Sequence, residues 1–484
     1  MLKGSVVTLV AQLARGLVQI VGTFALARLV APEDYGLFGL TAVVLNLISM
    51  FQEAGLTTAT IQREDLQEEQ INSLFWINIG LSAALAAALV VIAPGIAWFY
   101  EEPRLTRLLW AMTAALFING ARLQHRALLR REMDFVSVAK SDLGSAAVGI
   151  AAAVGMGALG WGYWALAGQQ LVFALAASAS TWWLCAWRPG APRVVDSARE
   201  MIQFGKNLTG YNFVNYFARN TDDYLVYYYH GAAQLGFYAK AYELLRMPLQ
   251  YINAPLTAVA IPALSRLSSD PTEYRRLFLR IYDKIALLSM PLGAFMIANA
   301  RDLVVVMLGE RWEPSAEIFG WLGLLVFIQP VANATGWLFI TQDRSGEMLR
   351  WGVMGSFMAV VAIAGGVPWG ATGVAAAYAV TGVTLRMPLL FWYVGRHGHV
   401  RTRDLWVGAL PSAACGVASF AAMWALARYV PIGHVALRLL AMSALGLATF
   451  TLTALILPWT RASLGDVRAL ADDVRAAIAQ RTAR

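Results

Sequence analysis

Residues 72–100 read NSLFWINIGLSAALAAALVVIAPGIAWFY, and this stretch contains no Asp, Glu, Lys or Arg. A helix needs about 20 mainly apolar residues to cross a bilayer, so the stretch predicts one membrane-spanning helix. The whole chain has the same character, since its 484 residues are 58% hydrophobic and only 14% charged. Soluble domains carry about 25% charged residues. The composition therefore predicts a membrane protein and excludes a cytosolic multidomain enzyme, a disordered scaffold and a disulfide-rich secreted domain.

Pro, Gly and charge clusters separate thirteen further apolar segments from this one. The fourteen predicted helices lie near residues 5–30, 36–60, 72–100, 108–120, 141–157, 163–186, 203–227, 237–262, 285–308, 317–340, 351–365, 373–394, 405–427 and 435–458. No long polar block interrupts this series. We therefore predict an all-α polytopic membrane protein with about fourteen transmembrane helices.

Lys and Arg are distributed unequally between alternate loops, and this accounts for most of the net charge of +8. One set contains 19 of these residues and the other contains 4. The basic set comprises the loops at 61–71, 121–140, 187–202, 263–284, 341–350 and 395–404. The positive-inside rule places these loops and both termini in the cytoplasm. The segment 461–484 repeats apolar residues at helical spacing among Arg and Asp, which predicts a cytoplasmic amphipathic tail.

The chain contains an internal repeat with an offset of 200 residues. The segment Tyr35-Gly36-Leu37-Phe38 matches Leu235-Gly236-Phe237-Tyr238 in residue type, and 54–57 matches 254–257 in the same register. Six predicted helices separate the copies, so parallel repeats are expected, with substrate near the midplane of their interface. We therefore predict six-helix lobes at 1–200 and 201–400, two additional helices at 401–460 and the tail at 461–484.

Polar residues form matching stripes on four predicted helices. In the first helix Gln12, Arg15 and Gln19 share one face, and Asn212, Asn215 and Arg219 repeat that spacing 200 residues later. The second helix carries Asn46 and Glu53, and the eighth carries Arg246, Gln250 and Asn253. A charged side chain at mid-membrane costs about 2.5–3.5 kcal/mol, so it faces a water-filled cavity or an ionic partner. Four matched stripes favour a hydrated cavity between the lobes, whereas the alternative is structural pairing, such as Arg15 with Glu53 or Arg219 with Asp222.

The predicted cavity residues fall into four chemical groups. The cations, whose guanidinium groups suit phosphate oxygens, are Arg15, Arg28, Lys206, Arg219, Arg246 and Arg386. The neutral polar lining consists of Gln12, Gln19, Asn46, Asn212, Asn215, Gln250 and Asn253. The aromatic residues that could stack on sugars are Tyr211, Phe213 and Tyr216. The acids that either couple a proton or sodium ion to transport or only balance the arginines are Glu53, Asp222 and Asp223.

Motifs of enzymes are not supported by their context. A GxGxxG match at 155–160 lies in an apolar span with no preceding strand, and an SxxK match at 137–140 lies in a predicted loop. The five histidines show no metal-binding spacing. We therefore expect no catalytic site, no bound cofactor, no metal site and no nucleic-acid partner.

Five short segments are similar to those of a known transporter family. They are Leu26-Ala27-Arg28-Leu29-Val30 with Tyr35-Gly36, Glu53-Ala54-Gly55-Leu56, residues 160–166 (GWGYWAL), residues 262–267 (PALSRL) and residues 308–312 (LGERW). In this order the chain resembles Wzx-type flippases, the polysaccharide transporter branch of the multidrug/oligosaccharidyl-lipid/polysaccharide exporter superfamily.

The resemblance implies two six-helix lobes plus two further helices in the bacterial inner membrane. It also implies ion-driven alternating access that moves undecaprenyl-diphosphate-linked oligosaccharide to the outer leaflet for exopolysaccharide, O-antigen or capsule assembly. The implied partners are this lipid-linked cargo, membrane lipids and a polysaccharide polymerase or assembly complex. One position departs from the family pattern, because Tyr227 stands where a glycine is usual.

Three alternative functions remain open from the sequence. A protein of the same fold could export small molecules or flip lipid II. A membrane glycosyltransferase or polymerase is disfavoured by the short outer loops and by the missing acidic catalytic motif. A passive scaffold in a glycan-assembly complex would require that substitutions in the cavity have no effect.

Overall fold

The computed structural model describes the backbone of residues 2–53, 60, 67–192, 197–457 and 460. Side chains are described for these residues except 2–13, 53, 197–219, 251, 252, 254, 255 and 258. The predicted tail at 461–484 lies outside the described residues.

The described part of the chain folds into helices and contains no strand. The helices are α1 (Leu2–Leu29), α2 (Pro32–Glu53), α3 (Glu68–Phe99), α4 (Arg104–Arg131), α5 (Phe135–Ala158), α6 (Tyr163–Leu184), α7 (Ser197–Arg266), α8 (Pro271–Ala298), α9 (Ala300–Leu308), α10 (Pro314–Thr341), α11 (Ser345–Gly366), α12 (Gly370–Thr381), α13 (Met387–Gly395), α14 (Thr402–Tyr429) and α15 (Val435–Ile456). Eight described helical segments are long and apolar enough to cross a bilayer by length and composition.

These fifteen helices account for the fourteen predicted spans. Helix α7 contains two spans, because its backbone is broken at Gly231. Helices α12 and α13 form one span, joined through a π-helical turn at Gly382–Arg386. Helix α9 has nine residues and rises only about 13 Å, too short to cross the hydrocarbon core. The predicted all-α polytopic fold is therefore confirmed.

Two predicted helices have different bounds in the structure. The segment predicted at 108–120 is the 28-residue helix α4, which continues through polar residues to Arg131. The segment predicted at 285–308 is divided at Asn299 into α8 and α9. Helix α8 already begins at Pro271, where Asp270 accepts hydrogen bonds from the N–H groups of Thr272 and Glu273. An apolar run indicates only the membrane-embedded part of a helix. A polar extension of the same helix therefore resembles a loop in the sequence.

The structure divides into two compact units, Met1–Gly236 and Phe237–Arg484. In the first unit, α3 and α4 form an antiparallel pair, α5 packs against both α1 and α6, and α6 contacts α4. A Cβ at Gly149 of α5 would lie 3.0 Å from the carbonyl oxygen of Gln169 in α6. Such small residues let helix backbones approach closely where no water drives association. The predicted lobe boundaries at 200, 400 and 460 stay predictions.

The second unit is built on α8, α10 and α14. Helix α8 contacts both α10 and α14, and α15 packs against α14. Its fully buried side chains are mostly large, including Tyr282, Trp312 and Phe391. The Ser419 hydroxyl in α14 donates a 2.7 Å hydrogen bond to the Gly446 carbonyl oxygen in α15. Large side chains and interhelical hydrogen bonds therefore join the helices of this unit.

The repeat glycines Gly36 and Gly236 lie against each other at the predicted outer ends of α2 and of the second half of α7. A Cβ on Gly236 would lie 3.2 Å from the Gly36 backbone nitrogen and would overlap the Pro32 carbonyl oxygen. A Cβ on Gly36 would overlap the Ala232 carbonyl oxygen. Glycine is therefore required sterically at both positions of the repeat.

The break in α7 depends on one glycine. Gly231 has φ of 78° and ψ of −179°, a backbone conformation that only glycine adopts readily. We expect Gly231→Ala to cost about 1–3 kcal/mol of stability. The thermal unfolding temperature of the detergent-solubilised protein measures this cost.

The matched control is Gly80→Ala inside α3, where an added Cβ meets no atom within 4 Å. Alanine favours helix over glycine by about 1 kcal/mol, so this variant should be at least as stable as the unmodified protein. Equal unfolding temperatures for Gly231→Ala and the unmodified protein would contradict the role given to this glycine.

Candidate functional site

An ion-pair cluster joins three helices of the first unit. Arg126 of α4 donates a 2.7 Å hydrogen bond to Asp142 of α5. Arg15 of α1 lies on the same carboxylate oxygen, with its Nη1 3.7 Å away. The Asp142 side chain is only 15% exposed, whereas Arg15 is 45% exposed. Two guanidinium groups therefore share one carboxylate, and the more distant one is the more accessible.

A third arginine extends this cluster along α4. Arg122 precedes Arg126 by one helical turn, so both lie on the same face. Its guanidinium donates to the Asn119 amide oxygen at 2.9 Å and lies over the Phe173 ring at 5.4 Å. The arginine cluster is defined as Arg15, Arg122, Arg126 and Asp142. Within it, the two guanidinium groups of Arg15 and Arg126 share the one carboxylate of Asp142, which leaves an excess of positive charge. This excess suits an anionic group with several acceptor oxygens.

Only one member of the arginine cluster was predicted. The alternative pairing of Arg15 with Glu53 lies outside the described residues, because the Glu53 side chain is not described; the described acidic partner of Arg15 is Asp142. The sequence predicts a cytoplasmic loop at 121–140. Arg122 and Arg126 therefore enter the sequence analysis only as loop residues that indicate the orientation of the chain in the membrane. Their four-residue spacing, on a helix that continues to Arg131, is the signal that could have identified them.

The other described candidates are divided between the two units. The exposed ones are Gln19, Arg28 and Asn46 in the first unit and Arg246 and Gln250 in the second. The half-buried ones are Asp222 and Asp223 in the first unit and Asn253 and Arg386 in the second. Their common lining of one cavity stays a prediction.

Nine candidates have side chains outside the described residues. They are Gln12, Glu53, Lys206, Tyr211, Asn212, Phe213, Asn215, Tyr216 and Arg219. Their roles in cargo binding, ion coupling and sugar stacking stay predictions.

Arg386 ends the π-helical turn of the second unit. Its guanidinium lies 4.9 Å from the Tyr378 ring centroid, a distance typical of a cation–π contact. The turn has a local cause, because Pro388 follows it and has no N–H to bond to the Thr384 carbonyl. π turns occur often at functional sites, which agrees with the choice of Arg386 as a candidate.

A buried neutral polar group lies between α2, α3 and α4. The Gln52 side-chain amide donates 2.7 Å hydrogen bonds to the Ser82 hydroxyl and to the Leu116 carbonyl oxygen. Gln124 donates to the Thr60 hydroxyl at 3.3 Å. The polar stripes predicted from the sequence do not include Gln52, Ser82 or Gln124. Among the described residues, no three His, Cys, Asp or Glu side chains are placed to hold a metal ion.

Tyr227 is buried near the predicted outer end of the first half of α7, just before the break at Gly231. Its ring is 6% exposed and contacts Tyr100 edge-on, with ring centroids 5.3 Å apart. The glycine that breaks the helix lies four residues after Tyr227, at Gly231. The tyrosine at the position where glycine is usual is therefore buried against Tyr100, close to the break in α7.

An ion pair lies in the adjacent loop. Arg104 donates to Glu102 through Nε at 2.8 Å and Nη2 at 2.7 Å. These hydrogen bonds lower the pKa of the Glu102 carboxyl below its ordinary range. Glu102 is therefore ionised at neutral pH, and its contribution to stability is lost as the pH falls through the lowered pKa.

The fold defines a class of membrane transporters. The structure "Lipid II flippase MurJ, inward closed conformation" is similar with a TM-score of 0.73 and 13% identity, over 93% of this chain and 98% of that one. An inward-facing multidrug resistance MATE family transporter of the MOP superfamily is similar with a TM-score of 0.61 and 14% identity, over 86% and 96% of the two chains. The chain is thus a multi-pass membrane protein with this transporter fold.

The family follows from the sequence comparison. A family model described as "Polysaccharide biosynthesis protein" matches residues 25–317, and the chain belongs to this family. The lipopolysaccharide biosynthesis protein WzxC of Escherichia coli (strain K12) is 25% identical over 381 residues, covering 77% of this chain and 76% of WzxC. The succinoglycan biosynthesis transport protein ExoT of Rhizobium meliloti (strain 1021) is 25% identical over 303 residues, covering 62% of this chain and 60% of ExoT. The resemblance to Wzx-type flippases is confirmed.

The arginine cluster generates a prediction about stability. Arg126 and Asp142 form a close, largely buried pair, so a double-mutant cycle with Arg126→Ala and Asp142→Ala should give a coupling energy of about 1–3 kcal/mol. Unfolding free energies of the solubilised protein measure it.

The control is the exposed pair Glu273 and Arg276 in α8, whose side chains are 51% and 68% exposed and 3.4 Å apart. Such pairs contribute at most about 0.5 kcal/mol. A coupling energy for Arg126 and Asp142 no larger than that of the control pair would show that the cluster is not electrostatically joined.

Proposed function

We propose that this protein moves undecaprenyl-diphosphate-linked oligosaccharide repeat units across the bacterial inner membrane for surface polysaccharide assembly. The excess positive charge of the arginine cluster is the observation on which this proposal rests. A diphosphate offers several acceptor oxygens, and the planar fork of arginine bonds two of them at once. Two of the relatives are a succinoglycan biosynthesis transport protein and a lipopolysaccharide biosynthesis protein, and these names support a glycan cargo.

The geometry of the cluster suggests different roles for its arginines. Arg126 is held at 2.7 Å by Asp142, whereas Arg15 is 3.7 Å away and 45% exposed. Arg15 is therefore the group that exchanges Asp142 for a cargo phosphate at the lower cost. Asp142 gives the guanidinium an ionic partner again once the cargo has left, so Arg15 is paired in the empty protein.

We expect Arg15→Ala to abolish surface polysaccharide in a deletion strain without lowering the amount of protein in the membrane. Arg15→Lys should restore it only in part, because an ammonium group keeps the charge but loses the two-pronged hydrogen bonding. Quantified cell-surface polysaccharide, with immunoblots of the membrane fraction, measures both effects. Arg219→Ala is expected to have the same effect as Arg15→Ala.

The matched control is Arg276→Ala, which removes a 68% exposed arginine from α8 and should leave polysaccharide unchanged. A normal amount of surface polysaccharide in the Arg15→Ala strain would show that the arginine cluster does not bind the cargo.

The coupling ion belongs to the same proposal. Glu53, Asp222 and Asp223 are the proposed coupling acids, and Asp222 and Asp223 are half-buried. Asp222→Asn with Asp223→Asn should abolish uptake of lipid-linked oligosaccharide into proteoliposomes driven by a proton or sodium gradient, but should preserve equilibrium exchange. Loss of both activities would instead indicate a role in cargo binding or folding.

One measurement distinguishes this cargo from the cargoes of other proteins with the same fold. The MurJ structure is titled a lipid II flippase, so lipid II is the main competing cargo. Mass spectrometry of the lipid-linked intermediates that accumulate after gene deletion should reveal an oligosaccharide repeat unit. Accumulation of lipid II would show that lipid II is the cargo. Formation of glycosidic bonds by the purified protein would show that the protein is a glycosyltransferase.

A further inference from the structure

An aromatic cluster lies at the predicted outer end of the first unit, far from the arginine cluster. It consists of Phe99 at the end of α3, the following Tyr100, and three tyrosines of α7, which are Tyr224, Tyr227 and Tyr228. Arg104 at this end of α4 precedes Arg126 by 22 residues, which corresponds to about 33 Å of helix. The two clusters therefore lie near opposite membrane surfaces.

Three rings of the aromatic cluster are nearly parallel. The centroids of Phe99, Tyr224 and Tyr228 form a triangle with sides of 6.0–6.2 Å, and their interplanar angles are 13–28°. Tyr100 stands edge-on to Tyr224, at 6.0 Å and 77°. Phe99 and Tyr228 are 46% and 52% exposed, so about half of each residue is accessible. Packing holds this accessible aromatic surface in one orientation.

A cavity of about 1020 Å³ lies beside these rings. Among its lining residues are Phe99, Tyr228, Trp98, Glu101, Glu102 and Gly231. Pockets of about 300–1,000 Å³ hold ligands of the size of a small oligosaccharide. The cavity therefore combines a broad aromatic wall with two carboxylates.

The backbone at one of these carboxylates is unusual. Glu101 has φ of 54°, in the left-handed region that residues other than glycine seldom occupy. This conformation ends α3, because the Glu101 N–H donates to the Trp98 carbonyl oxygen and the Glu102 N–H donates to the Ala97 carbonyl oxygen, the pattern of a Schellman cap. The neighbouring Glu102 is oriented by Arg104 through two hydrogen bonds. Both carboxylates are thus placed at the cavity by the local backbone and by an ion pair.

A membrane-interface belt of aromatic residues does not account for this arrangement. Belt residues anchor a helix by placing single rings among lipid headgroups. Here the rings pack on one another beside a cavity that also contains two acidic side chains. A sugar presents a C–H face, which packs on an aromatic ring, and hydroxyl groups, which donate to carboxylate oxygens.

We propose that this cavity is a saccharide-binding site that receives the glycan portion of the cargo on the outer side of the membrane. The inference rests on the proposed function and adds a second recognition element to it. A sugar ring packs on the faces of Phe99 and Tyr228, and its hydroxyls donate hydrogen bonds to Glu101 and Glu102. The arginine cluster binds the diphosphate on the inner side, and the aromatic cluster binds the glycan after the cargo has turned.

The test uses the purified full-length protein in nanodiscs. The probe is the soluble oligosaccharide released by mild acid from the lipid-linked intermediate of the producing strain. Saturation-transfer NMR with irradiation of aromatic protons should show transfer to the sugar-ring protons of the probe. The variant Phe99→Ala with Tyr228→Ala should bind about tenfold more weakly, because it removes both rings on which the sugar packs.

Two control variants keep the result interpretable. Tyr228→Phe retains the ring and should bind nearly as well as the unmodified protein. Tyr429→Ala removes a 76% exposed aromatic residue at the predicted outer end of α14 and should leave binding unchanged. Unfolding temperatures verify that each variant is folded.

The outcomes separate this site from the proposed function. Absence of transfer to the probe, or equal binding by the Phe99→Ala/Tyr228→Ala variant, overturns the saccharide site. The function is judged separately by lipid-linked oligosaccharide accumulation in the deletion strain. Accumulation without probe binding leaves the flippase proposal intact and removes only the aromatic site, whereas normal polysaccharide without the protein overturns the function.

Discussion

In hydrocarbon, water cannot pair with backbone N–H and C=O groups, so each must bond within its own segment. This constraint explains why the described residues fold almost entirely into helices. It also makes each interruption informative, because an interruption must be stabilised locally. Gly231 breaks α7 in a conformation reserved for glycine, and Pro388 accompanies the π turn before α13. In the part of the chain that the structure describes, these two irregular points each have an identifiable residue.

The same scarcity of water governs the charged side chains. Asp142 is 15% exposed and is paired with Arg126 and Arg15 on two other helices. Because one carboxylate serves two guanidinium groups, the cluster is paired but still positive. That combination is suited to a protein that binds an anionic headgroup and then returns to an empty state without leaving a buried charge unpaired.

Two kinds of chemistry are therefore separated along the first unit. Guanidinium groups lie toward the predicted cytoplasmic end, and aromatic rings with carboxylates lie toward the other end. An undecaprenyl-diphosphate-linked oligosaccharide has the same two parts, an anionic headgroup and a neutral or polar glycan. Membership in the polysaccharide biosynthesis family gives this correspondence a functional context.

The sequence alone predicts the membrane fold and the fourteen spans, because hydropathy and helical periodicity are local properties. It identified Arg15 but not its partner, since Asp142 lies 127 positions away and is brought near only by the packing of α1 on α5. Tertiary structure likewise decided that α4 extends to Arg131 and that Phe99 meets Tyr224 and Tyr228. Such contacts depend on the register between helices, which side-chain packing sets and no single segment encodes.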